Sequence, residues 1–171
     1  MECCLIILGA GGYGRMVADI AAQTGTYASI CFLDDNSQAE DVVGQCADYA
    51  AFKDENAVFY PAFGNNEGRV LWLKRLKESG CRIATIIHPS AYVSPTVKIE
   101  VGTAILPHAI VSTGCEINQG CIINAGAIVD HGSILEEGVH VCLGAIVKAD
   151  NRIPRCMKIE AGEVVANRAF V

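Results

Sequence analysis

The sequence predicts two consecutive folds, an α/β N-terminal Rossmann-like parallel sheet over residues 1–87 and an all-β parallel β-helix over residues 88–171, and three observations carry that prediction. An apolar run, Cys3 to Leu8, breaks directly into Gly9-Ala-Gly11-Gly12-Tyr-Gly14, the pattern of a buried strand entering a phosphate-type loop. A second apolar run, Ser29 to Leu33, ends in Asp34-Asp35, about twenty residues past the last of those glycines, where a Rossmann domain puts a ribose-binding acid. From Val93 to Val171 every sixth residue is aliphatic, fourteen positions without an exception. Helices repeat near 3.6 residues and half-buried strands at 2, so a strict period of six belongs to a hexapeptide β-helix.

The elements follow in order. After the glycine loop, Val17, Ile20, Ala21 and Thr24 hold helical spacing, and Gly25 can end that helix. A third strand is expected at 57–63, with Gly64-Asn65-Asn66 after it, then a helix from about Glu67 to Ser79 and a last strand from Arg82 to Ile87. Ligands of such a sheet gather at the carboxyl ends of its strands, here Gly9 to Gly14, Asp34-Asp35 and Gly64-Asn65. About eighty residues make one mononucleotide half of the doubly wound fold, so a nucleoside diphosphate fits better than a dinucleotide. His88-Pro89-Ser-Ala91 joins the two parts, and its proline holds His88 extended, a structural role.

In the repeat, each six-residue unit supplies a short strand and a corner, and three units close a coil of eighteen residues. Glycine stands at most corners, from Gly102 to Gly162, and His108 replaces one of them at the surface. Phe170 and Val171 are expected to cover the open end by packing on a neighbour.

Composition narrows the function. A formal charge of −6 argues against nucleic acid and anionic membranes as partners. Nine cysteines without a C-x-x-C suggest a reducing, cytoplasmic setting. Cys115 and Cys121 read as small core fillers, and no metal site is expected.

The glycine loop Gly9 to Arg15, the Phe-Leu-Asp-Asp strand end, Gly64-Asn65, the His-Pro-Ser-Ala junction and the hexapeptide array together resemble the sialic acid O-acetyltransferase and UDP-4-amino-sugar N-acetyltransferase family of bacterial glycan synthesis. The resemblance covers residues 4 to about 150. It implies a left-handed β-helix, a homotrimer with active sites between subunits, acetyl-CoA as co-substrate, and a nucleotide-sugar held by Gly9, Gly11, Gly12, Gly14, Asp34, Asp35, Gly64 and Asn65. It also implies that His131 is the general base, with His140 and Asn124 at acetyl-CoA. N-acetylating members carry an acid directly after the base; here that position is Gly132, and Asp130 is the nearest carboxylate to orient the imidazole. Members usually continue for several coils beyond the position of Asp150.

Acetyl transfer needs a base for the attacking group and a donor for the oxyanion. Ala149 is stacked one coil above His131, and its N–H is the candidate donor. His131 and His140 are half a coil apart, on opposite sides of a solid prism, so each site would combine His131 of one subunit with His140 of the next. Attack is expected to be direct, without Cys142 as a nucleophile. O-acetylation of a sialic-acid-type sugar and a non-catalytic nucleotide-sugar-binding scaffold are the alternatives.

Overall fold

The computed structural model describes residues 3–171, and the chain divides between Ala84 and Thr85. In the first unit, β1 (Cys3–Leu8), α1 (Gly12–Thr24), β2 (Tyr27–Leu33), β3 (Val42–Gly44), a 3-10 helix (Cys46–Phe52), β4 (Ala57–Pro61) and α2 (Asn66–Glu78) follow one another. The sheet order is β3-β2-β1-β4, with every pair parallel. The central strand β1 is apolar along its length because a parallel sheet is covered on both faces, and Leu5 to Leu8 are buried. Helix α1 buries Val17, Ile20 and Ala21 as its spacing requires, and Gly25 ends it at φ +64.

Two elements have no forecast in the sequence. Strand β3 has three residues, too few for a period, and the 3-10 helix lacks the 3.6 repeat. That helix starts from a capping box in which Asp48 Oδ2 accepts the Gln45 N–H at 2.9 Å.

The last strand expected of this sheet is not part of it. Ile83 makes only an isolated bridge to Phe59, while Ile86–Ile87 pairs in parallel with Ala104–Ile105 and opens the β-helix. The six-residue register therefore runs back one unit before Val93, to Ile87. The two compact units divide accordingly at 84/85.

The second unit consists of three parallel sheets of five, five and four two-residue strands, and each strand but the last of its sheet pairs with the one eighteen residues further on. Within each strand the second residue points inward. From Ile105 to Val165 these side chains are at most 5% exposed. Cys115 and Cys121 fill corners of the same core, each thiol donating to a backbone carbonyl.

At the carboxyl end the register fails, for Val171 is 95% exposed. Phe170 packs instead on the core of its own chain, so its expected seat on a neighbour is corrected. The Phe170 N–H donates to Asn151 Oδ1 at 3.0 Å, and its carbonyl accepts from Arg152 N–H at 2.8 Å. Asn151, itself buried, donates through Nδ2 to the carbonyls of Lys148 and Ala166, both at 2.8 Å. These bonds satisfy polar groups that a truncated coil would strand.

The corners explain the glycines. Gly102, Gly114, Gly120, Gly126, Gly132, Gly138, Gly144 and Gly162 all have φ between +63 and +74, which a side chain disfavours. Four corners carry side chains at the same twist: His108, Asp150, Cys156 and Arg168, with φ of +54 to +58. Cys156→Gly should accordingly stabilise the fold by about 0.5–1 kcal/mol. Thermal unfolding reads this as a raised Tm, and an unchanged or lowered Tm would contradict a strained corner.

Candidate functional site

The carboxyl edge of the first unit is built around the glycine loop. Gly9 has φ +102, and a Cβ on it would lie 3.0 Å from the Ala62 carbonyl. Gly14 is tighter, since a Cβ there would come within 1.9 Å of the Gly9 carbonyl, so α1 can approach the loop only through glycine. Gly11 and Gly12 face open space on the side a Cβ would take. The N–H groups of Gly12, Tyr13 and Gly14 donate to nothing among the described residues, which leaves the first turn of a 13-residue helix open to an anion. Arg15 is fixed beneath this turn by a bidentate pairing with Asp41, by a bond to the Ala10 carbonyl and by stacking over Phe32.

The strand-end acids have a building role. Asp34 Oδ2 accepts the Ala10 N–H at 2.7 Å, and Oδ1 accepts those of Asn36 and Ser37, both at 2.8 Å. The Ala10 and Asn36 bonds, with Ser37 and Arg15, hold the Asp34 carboxyl below the usual carboxylate range. Asp35 Oδ1 accepts the Cys46 N–H at 2.8 Å and so ties β2 to the 3-10 helix. Beside them lies an open depression of about 390 Å³, lined by Asp34, Asp35, Asn36, Ser37, Gln45 and Asp48 among others. Asn65 likewise serves its own helix, capping α2 by accepting the Gly68 N–H at 2.7 Å. Gly64, next to it, has open space around it.

On the β-helix, His131 stands at the edge between the faces of Ile128–Val129 and Ile134–Leu135. Asp130 Oδ1 accepts the His131 backbone N–H at 2.7 Å and lies 3.0 Å from its Nδ1. Those two bonds hold the Asp130 carboxyl below its ordinary range. The His131 side chain is 57% exposed, and its Nε2 has no partner among the described residues. With Nδ1 donating to the carboxylate, Nε2 carries the lone pair.

The other expected residues fall as follows. Ala149, one coil on, is 2% exposed, and its N–H donates to no described residue. Asn124 Nδ2 and His140 Nε2 meet at 3.2 Å on the third face, where Ile122 pairs with His140. Topology thus joins Asn124 with His140 and separates both from His131. Cys142 is buried, and burial pushes its thiol up, which keeps it protonated. Asp150 escaped the sequence reading. Its signal is a charged residue on the glycine register, directly over the corner that follows His131.

Asp34→Asn should lose about 1–3 kcal/mol at neutral pH, because an amide oxygen replaces a charged acceptor of three N–H groups. The folded carboxyl titrates below its unfolded value, so this stability is present above about pH 4 and fades as pH falls through the folded value. Denaturant unfolding of both proteins across pH 2.5–7 is the check, and a gap that does not narrow in acid would rule the clamp out.

Comparison with known proteins adds a lineage to this geometry. Residues 4–76 match the PglD N-terminal domain family. The acetyltransferase domain of PglB from Neisseria gonorrhoeae, in complex with acetyl coenzyme A, is 26% identical over 92% of this chain and 96% of that one, with a TM-score of 0.72. A histidine-to-asparagine variant of perosamine N-acetyltransferase from Caulobacter crescentus, with CoA and GDP-perosamine, shares the fold at 22% identity, covering 95% of this chain and 88% of that one, with a TM-score of 0.75. WeeI from Acinetobacter baumannii does so at 16% identity, covering 98% of each chain, with a TM-score of 0.62. A PglD-type amino-terminal domain over residues 4–76, followed by a hexapeptide β-helix, is thus the architecture this chain shares with hexapeptide-repeat sugar acetyltransferases.

Proposed function

We propose that this protein transfers the acetyl group of acetyl-CoA to the amine of a nucleotide-linked amino-sugar, of UDP-4-amino-sugar type, in bacterial glycan synthesis. The observation that carries the reading is His131, exposed, anchored through Nδ1 by Asp130 and presenting a bare Nε2. The amine attacks the thioester carbonyl while Nε2 takes its proton, and the C–S bond breaks as CoA leaves and receives that proton. Asp130 keeps the tautomer and balances the imidazolium charge. Ala149 N–H is the candidate oxyanion donor, with alanine narrowing its approach. The Neisseria relative's acetyl-CoA and the Caulobacter relative's GDP-perosamine support the two substrate classes. The open first turn of α1, with Gly9, Gly11, Gly12 and Gly14, would take the diphosphate, beside Asp34, Asp35, Gly64 and Asn65.

A homotrimer is part of this proposal. One face of the β-helix points Tyr92, Ile110, Ile128, Ile146 and Val164 outward in a hydrogen-bonded ladder, and Tyr92 and Val164 are more than half exposed. A contiguous apolar ladder of this kind is an association surface. His131 sits on the edge of this face, and His140 on another face, so a complete site would draw on two copies.

Release of free thiol from acetyl-CoA, with UDP-, GDP- and dTDP-linked amino-sugars, tests the reaction. Turnover is expected with one of them and should fall by ~10²–10⁴ in His131→Ala; full turnover in that variant would remove the base. Mixed trimers of His131→Ala and His140→Ala subunits should recover activity that neither has alone, and no recovery on mixing would count against shared sites. Ile110→Glu should leave a folded monomer in sedimentation velocity with turnover lost, and an unchanged assembly would dismiss this face as the interface.

A further inference from the structure

Beside His131 lies a carboxylate that the acetyl transfer above does not use. A Cβ built on Gly132 would sit 2.6 Å from Asp150 Oδ1. The Asp150 carboxylate therefore occupies the volume that a side chain directly after His131 would need. Asp150 reaches it from the next coil, with its N–H donating to the His131 carbonyl at 3.1 Å. Arg168 Nη2 binds Oδ2 at 3.0 Å, while Oδ1 accepts from no described residue. The carboxylate is 42% exposed and so faces solvent on the edge that carries His131.

Asp150 also holds a corner at φ +58, where most coils use glycine. Such a conformation costs the fold stability, and its side chain gives back one exposed ion pair with Arg168. His131 is thus flanked by Asp130 within its own coil and by Asp150 from the next, with acceptor capacity to spare on Asp150.

We propose that Asp150 recognises the acceptor: its Oδ1 takes a charge-assisted hydrogen bond from the sugar's ammonium as it approaches His131, so that this edge selects an amino-sugar over its hydroxy counterpart. The inference rests on His131 as the base. The ammonium, held by Asp150, gives one proton to solvent and becomes the nucleophilic amine. Its lone pair forms the C–N bond as the C–S bond breaks, and its second proton passes through Nε2 to the departing thiolate. N-acetyl sugar, CoA thiol and one released proton balance the reaction.

The test compares wild type, Asp150→Asn, Asp150→Gly and His131→Ala. Titration calorimetry would use UDP-, GDP- and dTDP-linked 4-amino-sugars and their 4-hydroxy counterparts, alongside thiol-release kinetics. For the carrier that binds, wild type should prefer the amino-sugar, and both Asp150 variants should lose that preference by ~10-fold or more while binding the hydroxy sugar as before. KM for the amino-sugar should rise by a similar factor with kcat little changed. Asp150→Gly should melt a few degrees higher than wild type, which separates recognition from folding. Asp150→Asn binding both sugars as wild type does, wild type failing to distinguish them, or no sugar binding at all would overturn the inference. Full turnover in His131→Ala would overturn the base instead, and the two binding isotherms would still decide Asp150.

Discussion

The eighteen-residue hydrogen-bonded register of the β-helix is the constraint on which the rest depends. Each two-residue strand is too short to hold a conformation alone, and it persists because the strands one coil below and above take up its N–H and C=O groups. The register places one aliphatic side chain per strand in the core and one corner in the left-handed region every six residues. It also stacks residues far apart in sequence. Corner follows corner from Gly132 to Asp150 to Arg168, and that stack is what brings chemistry to the edge beside His131.

The first unit works on another principle. Its sheet buries apolar strands, and the polar work falls to side chains that bond backbone amides at the carboxyl edge. Asp34 joins loop to strand, Asp35 joins strand to 3-10 helix, Asn65 begins α2, and Arg15 braces the loop from below. These residues do not wait for a ligand to find partners. They hold the glycine loop in the shape that leaves the N–H groups of Gly12, Tyr13 and Gly14 open.

Much of this is legible in the sequence, for a physical reason. A period of six has no competing explanation, so the β-helix, its inward residues and its corner glycines could be read off directly. The glycine loop and the helix after it were equally plain, because close approach of α1 permits only glycine at Gly14. What escaped were elements without a period, β3 and the 3-10 helix, and the ownership of Ile86–Ile87, which has strand character wherever it pairs. At the site, Asp130 beside His131 follows from adjacency in sequence. Asp150 over Gly132 depends on the stacking of coils, and the capping and clamping of Asn65 and Asp34 depend on where backbone amides point. A motif names such residues without saying what occupies their oxygens.

The plug formed by Phe170 and Asn151 bears on how far this architecture can grow. A solenoid of identical coils has no inherent length, and its last strands offer the same unpaired edge that every interior coil presents to its successor. Stacked end to end, such edges would make a head-to-tail contact with no closure, the geometry of a filament. Here the Phe170 carbonyl occupies the Arg152 N–H, its side chain packs on the core, and Asn151 takes up the Lys148 and Ala166 carbonyls. Where Phe170 and Asn151 hold these groups, that stretch of the edge is closed to such a contact.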